Sequence, residues 1–316
     1  MRTLCFFLLL LSHSLYAQPI AFAVHGGAGA LDSTKMSPAL REAIQATLTE
    51  AVQLGYSILE KGGSSVDAVQ AAVVLLENSP LFNAGKGAVT TAEGYVELDA
   101  AIMDGKTGKA GAVAALRHIQ NPVLLARRVM DSSKHVFLIG EGAESFARNQ
   151  GFVMTPQAYF LERSPLKGAA EELPALQGDK YGTVGAVALD KLGNLAAATS
   201  TGGMQNKKFG RVGDVPVIGA GTYARNGVVA VSCTGHGEYF IREVVGHEVA
   251  SLMRYKGLSL AEAADKVVLE QLVNIGGSGG LIAVDAQGNI HMPFNSAAMM
   301  RASKDAKGRF LVRIYR

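Results

Sequence analysis

A glycine–threonine pair at the start of an apolar segment has the clearest chemical potential in this sequence. Gly182 and Thr183 come directly before the apolar run Val184–Leu189 and follow a long polar stretch. If the chain were cut between the two residues, Thr183 would carry both a hydroxyl and a free α-amino group. An α-amine, with a pKa of about 8, can serve as the base for its own hydroxyl. The alternative is a purely structural threonine at the start of a strand.

Two further segments could supply partners for this nucleophile. Thr201 follows the apolar run 195–200, and antiparallel pairing of that run with the strand after Thr183 would bring the two threonines together. Arg211 and Asp214 stand three residues apart in Gly-Arg-Val-Gly-Asp. Their charges could hold the carboxylate and the ammonium of an amino acid. A solvated surface ion pair is the alternative for Arg211 and Asp214.

A third segment offers groups that could bind an oxyanion. Thr234 and Gly235 follow the apolar run 228–232, within Cys-Thr-Gly-His-Gly. A threonine hydroxyl beside a glycine N–H can stabilise the negative charge that develops on a carbonyl oxygen during acyl transfer. The motif is short and unspecific by itself, so its interest depends on the other two segments.

Several familiar motifs are incomplete. Gly105-Lys106-Thr107 resembles the end of a phosphate-binding loop, but the leading glycine is missing because position 100 is alanine. The stretch 219–224 is followed by an apolar, strand-like run, where a dinucleotide site needs the start of a helix. No pair of histidines has the spacing of metal ligands. We therefore expect no catalytic cofactor.

The composition is that of a folded, nearly neutral protein. The 316 residues are 48% hydrophobic and 18% charged, which excludes a disordered chain and supplies one large core or two ordinary ones. A formal net charge of +3 produces no field suited to nucleic acid. We expect a small-molecule substrate and no nucleic-acid partner.

Residues 1–17 have the pattern of a secretory signal peptide. A basic start is followed by an apolar run, 4–11, that is too short to span a bilayer, and then by a small, polar segment that ends at Ala17. We expect cleavage after Ala17 and a mature chain that is periplasmic or secreted, without membrane attachment. A buried N-terminal helix is the alternative.

Helix signals are strong at three places in the first half of the chain. Ser37 and the proline after it predict a helix start. The apolar stripe of that helix recurs at nearly four-residue spacing: Leu40, Ile44, Leu48, Val52, Tyr56 and Leu59. A second helix, capped by Ser65, runs through Leu76, and a third begins at Asn121.

Hairpin signals recur along the chain. The paired segments are 95–103 with 110–116, 184–189 with 195–200, and 281–284 with 290–292. Amphipathic helices are predicted for 239–255 and 260–275, and 310–315 should close a sheet. Residues 150–181 show no clear period and indicate an exposed connection. Blocks of helices alternating with antiparallel hairpins favour layered α+β architecture over a parallel doubly wound sheet.

Taken together, these segments resemble the plant-type asparaginases, also called isoaspartyl peptidases. The resemblance rests on Gly-Thr-Val-Gly at 182–185, Ser-Thr-Gly-Gly-Met at 200–204, Gly-Arg-Val-Gly-Asp at 210–214 and Cys-Thr-Gly-x-Gly at 233–237. Further matching segments are 24–29, 81–85, 98–105 and 292–295. The resemblance extends from about residue 20 to the C-terminus, and as a set it is highly specific.

The resemblance implies a fold and a processing event. Members of this family are N-terminal nucleophile hydrolases with an α+β fold, a four-layer αββα sandwich. The precursor would cleave itself between Gly182 and Thr183. The products would be an α subunit, residues 18–182, and a β subunit, residues 183–316, which form one domain together. Two such pairs would associate into an (αβ)2 assembly.

The resemblance also implies roles for individual residues around the nucleophile. Thr183 would attack, Thr201 would assist its activation, and Asn83 would steer it from the other subunit. Thr234 and Gly235 would form the oxyanion hole.

By the same resemblance, Arg211 would bind the α-carboxylate of the substrate, and Asp214, helped by the Gly237 carbonyl, its α-amino group. A structural sodium ion would lie in a cage of backbone atoms: Leu76, Glu77, Ser79, Phe82, Ala84 and Lys86.

The implied substrates are L-asparagine and β-aspartyl dipeptides. A glycosylasparaginase-like amidase is an alternative, but in those enzymes an aspartate usually precedes the nucleophile where this chain has Gly182. An acidic residue is also usual there at the position of His236. An exported amino-acid-binding protein without catalysis is a second alternative, since Arg211 and Asp214 alone would suit it.

Overall fold

The computed structural model of this chain describes residues 19–30, 34, 36–162 and 182–316. The predicted signal peptide, residues 1–17, lies outside the described residues, as does most of the predicted connection, residues 163–181. In the described part of the chain, no helix has the length and apolar character needed to cross a membrane.

The strands of the described residues form two sheets. In chain order they are β1 (Ala21–Gly29), β2 (Leu98–Asp104), β3 (Ala110–Leu116), β4 (Phe137–Ile139), β5 (Val184–Leu189), β6 (Leu195–Thr201), β7 (Thr222–Arg225), β8 (Val229–Gly235), β9 (Gly279–Asp285), β10 (Ile290–His291), β11 (Ala298–Asp305) and β12 (Phe310–Arg313). The large sheet has the order β12-β11-β1-β5-β6-β2-β3-β4, and the small sheet the order β10-β9-β8-β7. The predicted hairpins β2–β3, β5–β6 and β9–β10 are confirmed.

Helices cover the outer faces of both sheets. They are α1 (Pro38–Glu60), α2 (Ser65–Asn78), α3 (Pro122–Ser132), α4 (Gly140–Asn149), α5 (Gln157–Leu161), α6 (Gly237–Glu243), α7 (Val245–Lys256), α8 (Leu260–Asp265) and α9 (Leu272–Asn274). A π-helical segment, Lys266–Gln271, joins α8 to α9, so the predicted helix 260–275 is continuous. A capping box between Ser259 and Glu262 fixes the start of this continuous helix at α8.

The first two helices begin where hydroxyl side chains cap them. Ser37 Oγ accepts the N–H of Leu40 at 3.2 Å, and the whole predicted stripe of α1 is buried. The predicted cap of α2 is wrong by one residue. Ser64, not Ser65, has the extended backbone of a cap and accepts the N–H of Asp67 at 3.1 Å. A reciprocal bond from Ser64 Oγ to the Asp67 carboxylate at 2.7 Å explains why Ser64 is favoured.

Two further sequence predictions need correction. Residues 239–255 do not form one helix, because Val244 adopts a left-handed conformation, with φ of 48°, between α6 and α7. Within 150–181, α5 is a regular element that the sequence did not indicate. It is held by Gln157, whose side chain bonds the backbone of Val96, and by the buried Phe160.

Alternation of side chains along the central strand β1 shows how the layers are held together. Phe22 and Val24 point into a core shared with α1, α2 and α3, whereas Ala21 and Ala23 point towards the small sheet. The outer face of the small sheet packs against α7, α8 and the π-helical segment. The predicted four-layer αββα sandwich is confirmed.

Candidate active site

The hairpin β5–β6 brings the two predicted threonines together at one end of the large sheet. Val184 pairs with Ser200, so Thr183 and Thr201 lie at matching strand ends. Their hydroxyl oxygens are 3.1 Å apart, and both residues are buried. Both line a small pocket, whose other lining residues are Gly182, Gly203, Arg211, Gly213, Asp214 and Gly235.

The carbonyl oxygen of Gly182 accepts hydrogen bonds from three side chains. The donors are Asn83 Nδ2 at 3.0 Å, Thr201 Oγ1 at 2.9 Å and Thr183 Oγ1 at 2.7 Å. Thr183 has one hydroxyl proton, which it can give either to this carbonyl or to Thr201. Donors of this kind polarise a carbonyl group and stabilise the charge that forms on its oxygen during attack. The peptide group that the site polarises is therefore the one predicted to be cut.

Asn83 lies in the loop after α2 and is fixed at both ends of its amide group. Its Oδ1 accepts the N–H of Val89 at 3.0 Å, and its Nδ2 also donates to the carbonyl of Gly203 at 2.7 Å. The backbone carbonyl of Asn83 accepts the N–H of Gly202 at 3.1 Å. These bonds tie the loop to the segment that follows Thr201 and aim Nδ2 at Gly182.

Arg211 is oriented by Glu238, a residue to which the sequence analysis gave no role. Its Nε and Nη2 donate to Glu238 Oε1 and Oε2, each at 2.9 Å. This two-point pair leaves Nη1 beside Gly213 and Gly203, where an added Cβ would lie 2.8 Å and 3.5 Å from it. Glycine at both positions makes room for the edge of the guanidinium group that faces the pocket.

Asp214 presents a carboxylate oxygen, Oδ2, that is buried and has no hydrogen-bond partner among the described residues. Burial raises the pKa of Asp214 to about 7, and the positive charge of Arg211 opposes that rise. Gly237 lies against both residues, since an added Cβ would be 2.8 Å from Asp214 Oδ1 and 2.9 Å from Arg211 Nη2. Burial of a carboxylate is costly unless it is paired, and Asp214 lines the pocket, where an ammonium group could pair with it.

The two predicted oxyanion-hole residues lie at different depths. Gly235 lines the pocket, whereas Thr234 is buried behind it. Thr234 Oγ1 accepts the N–H of Ala28, in the glycine-rich end of β1, at 3.1 Å. That bond uses an oxygen lone pair and leaves the hydroxyl proton available to a substrate oxygen.

Two more residues border the site without a role assigned from the sequence. His25 Nδ1 lies 3.0 Å from the backbone carbonyl of Thr183. Lys207 is buried beside Gly203, and its Nζ donates to the carbonyl of Glu97 at 2.9 Å. His25 falls inside the matching segment 24–29, and Lys207 lies between two of the matching segments. Position in a motif was thus a signal that could have found His25, whereas Lys207 lies outside the motifs and had no such signal.

The last turn of α2 and the loop after it contain the residues predicted to cage a sodium ion. Its backbone turns so tightly that a Cβ on Gly85 would lie 2.2 Å from the carbonyl oxygen of Glu77, and one on Gly87 2.1 Å from that of Phe82. Glu77 Oε2 is buried without a partner among the described residues, and burial raises the pKa of Glu77 to about 7. Carbonyl oxygens at the C-terminal end of a helix, beside a buried carboxyl group, fit a small cation with oxygen ligands.

The sandwich and the buried threonine pair define the class of protein as an N-terminal nucleophile hydrolase. The family model described as asparaginase matches residues 18–313, and this chain belongs to that family. The resemblance drawn from the sequence motifs is therefore confirmed.

Individual relatives are similar along nearly their whole length. The isoaspartyl peptidase of Salmonella typhimurium is 54% identical over 294 residues, which cover 89% of this chain and 93% of that protein. The isoaspartyl peptidase of Escherichia coli is 53% identical over 292 residues, covering 89% and 91%. The isoaspartyl peptidase/L-asparaginase of Rattus norvegicus is 44% identical over 288 residues, covering 89% and 84%.

Proposed function

We propose that this chain is a threonine hydrolase that cleaves itself between Gly182 and Thr183. The mature enzyme then removes N-terminal isoaspartyl residues from β-aspartyl dipeptides and hydrolyses L-asparagine to L-aspartate and ammonia. The observation that carries the proposal is the convergence of three side-chain donors on the Gly182 carbonyl, one of them the hydroxyl of Thr183. The names of the relatives from Salmonella typhimurium, Escherichia coli and Rattus norvegicus support the substrate class.

In the cleavage step, Thr183 Oγ1 attacks the carbonyl carbon of Gly182. A C–O bond forms, the peptide C–N bond breaks, and the hydroxyl proton ends on the released amine of Thr183. Asn83 Nδ2 and Thr201 Oγ1 stabilise the transient negative charge on the Gly182 oxygen. Water then hydrolyses the ester, which gives a carboxylate on Gly182 and restores the hydroxyl of Thr183.

The fold explains why the two fragments would stay together. In the large sheet, β1 from residues 18–182 lies between β11 and β5, which both belong to residues 183–316. Strand β6 then pairs with β2, again across the predicted cut. Neither fragment can bury its apolar surface without the other, so the α and β subunits should form one inseparable domain. We further propose that the assembly is (αβ)2 and that residues 1–17 direct export to the periplasm or the medium.

Cleavage would also prepare the catalytic site. Departure of the Gly182 carboxylate opens the pocket in front of Thr183 and Thr201, and leaves the donor of Asn83 beside the new N-terminus. The neutral α-amine of Thr183 takes the hydroxyl proton while Oγ1 attacks the side-chain carbonyl carbon of the substrate. Gly235 and Thr234 stabilise the oxyanion. The amine leaving group departs with the proton, and water hydrolyses the ester to free aspartate.

The substrate clamp explains a requirement for an aspartyl head group. Arg211 offers Nη1 to the α-carboxylate, while Asp214 and the Gly237 carbonyl accept hydrogen bonds from the α-ammonium group. The test is incubation of the purified, self-processed protein with β-aspartyl-leucine, L-asparagine and α-aspartyl-leucine. Release of leucine from the β-linked peptide alone, with ammonia from asparagine, is the expected result. An amino-acid-binding protein would release nothing, and a glycosylasparaginase-like amidase would cleave glycosylated asparagine faster than either substrate.

Binding of L-aspartate should strengthen as pH rises through 7. Because burial raises the pKa of Asp214 to about 7, its carboxyl is mostly neutral below that pH and mostly ionised above it. Only the ionised form can pair with an ammonium group, so the inhibition constant of L-aspartate should fall between pH ~6 and ~8. Succinate, which lacks the ammonium group, is the matched control. Its binding should weaken as pH rises from ~6 to ~8, because the Asp214 carboxylate that forms over this range repels it. Parallel pH profiles for the two inhibitors would contradict the assigned role of Asp214.

We also propose that the loop after α2 holds a structural sodium ion. The ligands would be backbone oxygens of the segment from Leu76 to Lys86, closed by the turn at Gly85. A bound ion stabilises the folded state by mass action, by about 2.7 kcal/mol at a concentration 100 times its dissociation constant. The thermal midpoint should therefore be several degrees higher in sodium chloride than in choline chloride of equal ionic strength. Equal midpoints in the two salts would rule out a sodium site.

A further inference from the structure

His25 is a buried histidine to which neither the cleavage step nor the catalytic step assigns a role. It lies in β1, and its relative exposure is 0%. Its partner in the neighbouring strand is Gly185, two residues after the nucleophile. Nδ1 lies 3.0 Å from the carbonyl oxygen of Thr183, and Nε2 lies 2.9 Å from Ser232 Oγ. The histidine thus bridges the backbone of the nucleophile in the large sheet to β8 in the small sheet.

The partners of His25 determine where its proton lies. The Thr183 carbonyl oxygen can only accept, so Nδ1 carries the proton and donates. Burial lowers the pKa of His25 to about 3, and the imidazole is therefore neutral over the working range of an enzyme. Nε2 must then accept a hydrogen bond, and Ser232 is its donor.

The bonds beyond Ser232 continue in one direction between the two sheets. Ser232 Oγ and Thr199 Oγ1 are 2.7 Å apart, and Thr222 Oγ1 donates to Thr199 Oγ1 at 2.7 Å. Thr222 has one hydroxyl proton, which it can give either to Thr199 or to the carbonyl of Val215 at 3.1 Å. Since Ser232 gives its proton to His25, Thr199 is the donor in its 2.7 Å bond with Ser232. The other acceptor near Thr199, the carbonyl of Gly221, is farther away at 3.4 Å. The bonds therefore run in one direction from Thr199 through Ser232 and His25 to the carbonyl of Thr183. Hydrogen bonds arranged in this way polarise and strengthen one another.

A glycine in β5 leaves space for these hydrogen-bonded side chains. A Cβ on Gly185 would lie 2.0 Å from Ser232 Oγ and 2.4 Å from His25 Nε2, so any larger residue at 185 would occupy the path of their bond. The four side chains of the chain are fully buried between two alanine- and valine-rich sheet faces. Polar groups at such positions are costly unless every partner is in place, and here each has one.

We propose that His25 is a positioning residue that holds the peptide plane of Thr183, so that the hydroxyl and the α-amine face the pocket after cleavage. The proposal rests on the proposed function, because it concerns Thr183 as a new N-terminus. A cut before Thr183 removes the covalent restraint on its amine side. The residue is then held by its peptide bond to Val184, by the contact of its hydroxyl with Thr201 and by the bond from His25 to its carbonyl.

Loss of the hydrogen bond from His25 should lower the rate of turnover more than the affinity for substrate. Without the Nδ1–H donor, the Thr183 carbonyl is a buried acceptor that gains by rotating towards another donor, and this rotation moves Oγ1 and the amine away from the scissile carbonyl. Misplacement of a nucleophile by about 1 Å can cost roughly 100-fold in rate. Among the described residues, no side-chain hydrogen bond joins Arg211 or Asp214, the proposed head-group ligands, to His25, Ser232 or Thr199.

The experiment compares His25→Leu with His25→Asn in the full chain. Asparagine places its amide nitrogen close to the position of Nδ1 and can donate to Thr183, whereas leucine fills the space without a donor. We expect His25→Leu to lower kcat on a β-aspartyl dipeptide ~10- to 100-fold, with KM changed less than about threefold, and His25→Asn to restore most of kcat. Val24→Ala, in the same strand but facing the helical core, is the control for lost stability and should keep kcat.

The outcomes separate this proposal from the proposed function. If the wild-type protein neither cuts itself nor turns over substrate, the proposed function fails. If the wild type is active and His25→Leu matches it in kcat, or His25→Asn is no better than His25→Leu, the positioning role is wrong. Should His25→Leu fail to fold, Ser232→Ala replaces it, since it removes the donor that fixes the histidine tautomer. That variant should also lower kcat with KM retained, and unchanged kcat would overturn the proposal.

Discussion

Thr183→Ala should remain a single uncut chain with no measurable hydrolysis of β-aspartyl-leucine or asparagine. In the proposed mechanism the hydroxyl of Thr183 is the attacking group in both reactions, and it lies 2.7 Å from the Gly182 oxygen and 3.1 Å from Thr201 Oγ1. Removal of a nucleophile typically costs more than about a thousandfold in rate. Denaturing electrophoresis after prolonged incubation measures the cut, and product release measures turnover.

Thr183→Ser is the matched control for this variant. It keeps the hydroxyl and loses only a methyl group, so it should still cut itself and retain part of the activity. Thr183 lies just before β5, and its carbonyl can accept the bond from His25 Nδ1 in both variants, so the two variants differ at the hydroxyl. Cleavage of Thr183→Ala at the wild-type rate would show that another group attacks Gly182.

Arg211→Ala should lower kcat/KM roughly 30- to 1,000-fold, which corresponds to a loss of ~2–4 kcal/mol of transition-state stabilisation. The guanidinium is mostly buried and lines the pocket, so in the proposed clamp its loss removes charge-assisted bonds to the substrate carboxylate. The substitution also removes the two-point pair from Glu238, which keeps its contact with His236 Nε2 at 3.3 Å. With less positive charge beside it, the Glu238 carboxylate should repel the substrate carboxylate. Steady-state kinetics on a β-aspartyl dipeptide give the value.

Two variants separate these contributions. Arg211→Lys keeps a positive charge but cannot make the two-point pair with Glu238, and we expect an intermediate loss. Glu238→Gln keeps the arginine and removes the charge of its partner, so the loss should be smaller than for Arg211→Ala. If Arg211→Ala kept the wild-type kcat/KM, the arginine would be a surface residue that has no part in binding.

The pairing of Thr183 with Thr201 could be predicted because it depends on a single local feature. Two apolar runs separated by a short turn form an antiparallel hairpin, and its open end must bring together the residues that flank the runs. The buried apolar face of α1 could be predicted for a similar reason, because apolar residues that recur about every four positions indicate an amphipathic helix. Local sequence patterns were therefore enough to predict the main helices and the hairpin that brings Thr183 and Thr201 together.

Contacts between distant segments could not be predicted in this way. Glu238 pairs with Arg211 across 27 positions of sequence, and His25 reaches Thr183 across 158. Neither contact has a periodicity or a spacing that marks it. The prediction of one helix over 239–255 failed for a local reason. Val244 is β-branched, and nothing in its residue type predicts the left-handed conformation that divides the helix there.

The most direct test of the account is the covalent state of the active wild-type protein. Intact-mass spectrometry and N-terminal sequencing should find two fragments, one of them beginning Thr183-Val184-Gly185, and activity should appear in step with the cut. A fully active protein that remains one continuous chain across Gly182 and Thr183 would contradict the account, because Thr183 would then have no free amine to act as its base.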